Sequence, residues 1–102
     1  KIRKKTMQLV QQQTRSYDAL IMPTSPLVPP KIKALETIET KMKINSMALR
    51  NTALANFLDR PTISIPCHKS GSAPVGLSIM GSHKHDRRLL AIAAGAEAVI
   101  RA

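Results

Sequence analysis

Four groups of side chains are of a type that could do chemistry, and their spacing limits what each could do. Ser70-Gly71-Ser72 offers two hydroxyls beside a glycine. A serine hydroxyl is a weak nucleophile until a base within hydrogen-bond reach takes its proton. This triplet falls between two strand-like runs, where Gly and Ser make turns, so the expectation is a connection without a nucleophile. Cys67 and His68 are sequence neighbours. Neighbours on a strand point to opposite faces, which rules against a Cys–His dyad and favours Cys67 as a buried structural cysteine. His83 and His85 could share a face and hold a metal, but a zinc site needs further ligands and none accompanies them. They are expected as loop histidines. Arg50 and Asn51 are the polar exceptions on an otherwise apolar helix. Arg50 could clamp a substrate carboxylate or carbonyl from a pocket wall, or pair with an acidic residue outside this chain. Arg50 and Asn51 are therefore the substrate-binding candidates; no catalytic residue, metal or cofactor is expected within these residues.

The elements that would position these groups follow from periodicity. Residues 1–14 place Ile2, Thr6, Leu9, Val10 and Gln13 on one face at helical spacing. Ala19 to Met22 is a short apolar run ended by Pro23-Thr24-Ser25-Pro26, which predicts a strand buried on both faces. Residues 31–43 lack a firm period and are expected as surface loop, with the next helix joining near Glu39. From about Ile44 to Leu58 the pattern is a helix apolar nearly all round, a kind normally covered on several sides. Strands are predicted over 62–67 and 75–80, joined through Ser70-Gly71-Ser72. Asp86 is positioned to cap a last helix whose stripe is Leu89, Ala93, Ala96 and Ile100, with Glu97 and Arg101 spaced for an ion pair.

Composition bounds the class. A chain of 102 residues is at most one domain with a modest core, and one Tyr with one Phe leaves that core resting on Leu, Ile, Met and Ala. The single cysteine excludes an internal disulfide and fits a reducing, cytoplasmic compartment. No apolar run approaches the roughly 18 residues of a membrane span. The chain starts at Lys1 without an initiator methionine, which suggests a piece of something longer. The net charge of +10 invites a nucleic-acid reading. The charges are scattered, however, over Lys1 to Lys5, Lys31/Lys33, Lys41/Lys43 and Arg87/Arg88, with no aromatic stacking platforms between them.

Three blocks carry a family resemblance. Tyr17-Asp18-Ala19-Leu20-Ile21-Met22-Pro23-Thr24-Ser25-Pro26 resembles the D-x-L-hydrophobic-x-P-T-x-P strand of amidase-signature enzymes. Asn56 followed by Pro61-Thr62-Ile63-Ser64-Ile65-Pro66-Cys67 is similar to their N-x-x-G-x-P-hydrophobic-hydrophobic-S-hydrophobic-P-C segment. Pro74-Val75-Gly76-Leu77-Ser78-Ile79-Met80-Gly81 is similar to their P-V-G-L-Q-hydrophobic-hydrophobic-G strand, and Asp86, Leu89 and Leu90 match the start of their closing helix. The ordered set spans about Tyr17 to Arg101. Asp59 stands where the family has glycine, His68 replaces a glycine after Pro-Cys, and Ser78 replaces a glutamine.

The resemblance implies an α/β fold: the C-terminal part of an amidase-signature domain, with three strands of a mixed sheet and about three helices, residues 1–102 forming one incomplete domain. Such enzymes hydrolyse amides with a serine nucleophile, a bridging cis-serine and a lysine base. Those residues would lie upstream of this chain, so the resemblance implies scaffold and pocket wall without a triad. The expected partners are the missing N-terminal part of the parent amidase, a small amide substrate in the full enzyme, and further copies of the chain itself through uncovered strands. Two other readings stay open: a basic nucleic-acid-binding module, and a catalytically silent assembly protein related to the amidase C-terminus.

Overall fold

A computed structural model describes all 102 residues. In chain order it comprises helix α1 (Ile2–Thr14), strand β1 (Leu20–Pro23), a 3-10 turn (Ile32–Leu35), helix α2 (Ile38–Leu58), strands β2 (Thr62–Pro66) and β3 (Gly76–Met80), and helix α3 (Asp86–Arg101). The sheet order is β1-β3-β2. Both pairings are antiparallel, with Met22 and Ser64 each opposite Ser78. The three expected strands and three helices are present, and the pairings among these three strands are antiparallel.

Alternation along the strands sends side chains to two faces, and each face has its own helical cover. On one face Ile65 and Ile79 pack with Leu89 and Ala93 of α3, with Ala19, Ile63, Leu77, Ile92 and Ala96 around them. On the other, Met80 packs with Ala55 and Leu58 of α2, and Met7, Val10, Leu20 and Met22 complete the cluster. The central strand β3 is covered from both sides, and Ile79 and Met80 are its fully buried residues.

Helix α2 begins at Ile38, six residues earlier than the apolar pattern indicates, because Thr37 caps it: its Oγ1 accepts the Thr40 N–H at 3.2 Å. Its inward stripe is Thr40, Ile44, Ala48, Asn51, Ala55 and Leu58, at spacings of three and four. The helix ends on Asp59, whose backbone is left-handed (φ 53°, ψ 48°). The N–H groups of Asp59 and Arg60 return to the Asn56 and Ala55 carbonyls, and Pro61 prevents continuation. Arg3 of α1 donates to the carbonyls of Phe57 and Asn56 at 2.8 and 3.1 Å, adding a second cap to the same helix end.

Several expectations are corrected. Strand β1 is a sheet edge with one open face, leaving Ile21 exposed rather than buried on both faces. The inward face of α1 is Thr6, Met7, Val10 and Thr14, while Ile2, Leu9 and Gln13 face solvent. His85, not Asp86, occupies the cap position of α3, which places Asp86 in the first turn, where its charge suits the helix dipole. The α3 stripe gains Ile92, and Ile100 is exposed. Glu97 and Arg101 do pair, at 3.7 Å.

Candidate functional site

The polar end of the α2-facing sheet surface gathers three hydroxyls from three segments. Ser64 (β2) and Ser78 (β3) are register partners, and Thr24 follows β1 directly. Thr24 Oγ1 lies 2.5 Å from Ser64 Oγ and 2.8 Å from Ser78 Oγ. Ser78 is the one buried polar side chain on the covered central strand, so Thr24 satisfies a hydroxyl that would otherwise cost about 1–3 kcal/mol. Gly76 leaves room for this arrangement. A Cβ there would stand 2.7 Å from Ser64 Oγ and 2.9 Å from Thr24 Oγ1.

These hydroxyls floor a cleft of about 280 Å³ between the sheet and α2, lined also by Met22, Asn51, Ala55, Asn56 and Arg60. Asn51 Nδ2 donates to the Pro23 carbonyl at 2.8 Å and thereby ties α2 to the end of β1. Arg60 reaches the cleft from the turn after α2. Its Nε donates to the Gly81 carbonyl at 2.7 Å and its Nη1 to Thr14 Oγ1 at 3.1 Å. Burial pushes its guanidinium below the ordinary arginine value. No Asp, Glu, His or Lys lines this cleft. Its serines therefore have no base to activate them as nucleophiles.

The other sequence candidates disperse. Arg50 is exposed on α2; its Nε donates to Asn51 Oδ1 at 3.3 Å, and it stands outside the cleft lining. Ser70-Gly71-Ser72 forms the β2–β3 connection, with Gly71 at φ 83° and Ser72 N–H closing on the Lys69 carbonyl. Cys67 is exposed, contrary to the expectation of burial, because β2 ends at Pro66 and the cysteine lies on the rim. His68 Nδ1 accepts the Val75 N–H at 3.2 Å, which locks its ring against the connection. His83 Nδ1 donates to the Asp59 carbonyl at 2.7 Å and lies 3.5 Å from the Asp59 carboxylate. No group of three or more His, Cys, Asp and Glu side chains is placed to hold a metal.

Sequence reasoning does not reach the Thr24–Ser64–Ser78 group or Arg60 as site residues. Period-two alternation could place Ser64 and Ser78 on facing positions only once the β2–β3 register was known. Nothing in the sequence reports that Arg60 turns back toward α1 and Gly81.

Comparison with known proteins fits this geometry. A family model described as Amidase matches residues 1–90. A 2-amino-5-chloromuconic acid deaminase of Comamonas testosteroni is 38% identical over 84 residues, covering 81% of this chain and 18% of that protein. A glutamyl-tRNA(Gln) amidotransferase subunit of Sulfurisphaera tokodaii is 35% identical over 100 residues, covering 98% and 21%. The crystal structure of the corresponding Thermotoga maritima glutamyl-tRNA(Gln) amidotransferase subunit superposes with a TM-score of 0.69 at 28% identity, over 86% of this chain and 19% of that one. The chain thus spans about a fifth of the length of the relatives it matches. With an ordered sequence match over most of its length and a shared α/β fold, the chain belongs to the amidase family.

Proposed function

We propose that this chain is the C-terminal scaffold and pocket wall of an amidase that hydrolyses carboxamide C–N bonds, with the Ser–cis-Ser–Lys triad supplied from residues upstream of it. The observation that carries the reading is the pairing of family membership with a preformed polar cleft that holds no base. A wall needs oriented donors and a stable frame, which Thr24, Ser64, Ser78 and Asn51 supply; a catalytic centre also needs an activated nucleophile, and that would come from elsewhere. Within this reading Asn51 faces the substrate from α2, and Arg50, bonded to it, stands at the rim. The missing N-terminal part of the parent is then the natural partner of the uncovered surfaces.

Ammonia release from a panel of small carboxamides tests the proposal. The native polypeptide isolated from its host should be several times longer than this chain and should turn over amides. The 102-residue chain alone should release none. Serine-directed labelling of Ser64, Ser70, Ser72 or Ser78 with turnover by the chain alone would overturn the wall assignment. A native polypeptide of 11.2 kDa without amidase activity would overturn the amidase reading altogether.

A further inference from the structure

The cleft beneath α2 carries more hydrogen-bond donors than the protein uses. A guanidinium has five N–H groups. Arg60, part of the cleft lining, spends two of them on Gly81 and Thr14, which lie just outside that lining, and makes no further hydrogen bond with the other three. None of the ion pairs in the chain includes Arg60. The hydroxyl group shows the same surplus. Thr24, Ser64 and Ser78 own one hydroxyl proton each, and the two contacts among them consume two, so one proton must be given to an acceptor outside the trio. Asn51 uses one of its two Nδ2 hydrogens on Pro23. Met22, Ala55 and Met80 are the hydrophobic residues of an otherwise polar lining.

A ligand matching this set must bring lone pairs and negative charge, and a planar group suits the flat guanidinium fork. We propose that the cleft is a carboxylate-binding subsite in which Arg60 is the counter-charge and the Thr24–Ser64–Ser78 hydroxyls orient the anion. Its volume of about 280 Å³ falls at the lower edge of small-molecule sites, so it takes an acidic substituent rather than a whole substrate. The lowered Arg60 pKa agrees, since a partly buried guanidinium without a counter-ion is stabilised by an arriving anion. Binding of a carboxylate stands on the cleft alone. That the carboxylate belongs to an amide substrate rests on the amidase reading above, and it narrows the substrate class to amides carrying a second, acidic group.

The test is an NMR titration of the isotopically labelled chain at one fixed low ionic strength, where charge repulsion keeps self-association weakest, read at the Arg60 Nε–H and at the Ser78 and Gly81 amides. Sodium acetate should give saturable shifts at these positions and acetamide none. Arg60→Gln should weaken acetate binding at least roughly tenfold, the loss of a charge-assisted contact, whereas Lys33→Gln, which lowers the overall charge equally, should leave it unchanged. Ser64→Ala leaves both Arg60 ties in place and should weaken binding severalfold, so it serves if Arg60→Gln does not fold. Absence of saturable shifts, equal binding by wild type and Ser64→Ala, or tighter binding of sulfate than of acetate would overturn the proposal. Lost acetate binding with amide hydrolysis intact in the complete enzyme would sink this subsite alone; intact acetate binding without hydrolysis would sink the amidase reading alone.

Discussion

The isolated chain should not behave as a monomer, and its surface gives the magnitude. A compact monomer of 11.2 kDa exposes about 5,700 Å². This chain exposes 8011 Å², roughly 2,300 Å² more, and buries only 9 of its 102 residues. Its radius of gyration is 15.9 Å, against about 13 Å for a self-contained domain of this length. The excess is larger than the roughly 1,600 Å² of a standard stable interface. Part of it lies on α2, where Leu49, Leu54 and Phe57 are 55%, 44% and 42% exposed. Covering a half-exposed side chain of this size is worth about 1 kcal/mol, so the three together contribute about 3 kcal/mol to any association that covers them. Replacing all three with glutamine should therefore raise the dissociation constant of the self-associated form by about 100-fold. Light scattering after size exclusion, at several concentrations and salts, measures this directly. Association should strengthen as salt screens the +10 net charge. A sharp monomer peak at 11.2 kDa in all conditions with cooperative unfolding, or a triple variant that associates as the wild type does, would refute the argument.

Gly76→Ala should cost about 1–3 kcal/mol, because its Cβ would collide with the Thr24 and Ser64 hydroxyls; chemical denaturation reads the loss. Asp59→Gly should raise the melting temperature, since the left-handed backbone there suits glycine, and Asp59→Ala should lower it; about 1 kcal/mol corresponds to about 4–8 °C for a domain near this size. Arg50→Ala, made in the complete enzyme, should weaken binding or turnover of a charged substrate while moving the melting temperature little, because Arg50 is exposed and bonds only to Asn51. Unchanged kinetics with a large thermal loss would return Arg50 to a structural role.

The sequence by itself determined the elements and the family. Those signals are local: apolar alternation in Thr62–Pro66 and Gly76–Met80, the breakers around Pro23 and Pro61, and three blocks in fixed order. The turn at Ser70-Gly71-Ser72 is legible for the same reason, since Gly and Ser make turns through their own backbone preferences. What the tertiary structure alone decided is which local features meet. The exposure of Ile21, Cys67 and the outer face of α1 is not legible in the sequence, because hydrophobicity reports what a residue tolerates, whereas exposure depends on where the sheet stops. The cleft belongs to this second kind of information. Thr24, Ser64, Ser78, Asn51 and Arg60 lie up to 54 residues apart in the chain. Only the antiparallel register of β3 with both neighbours, and the return of α2 across their common face, bring those hydroxyls and that guanidinium around one space.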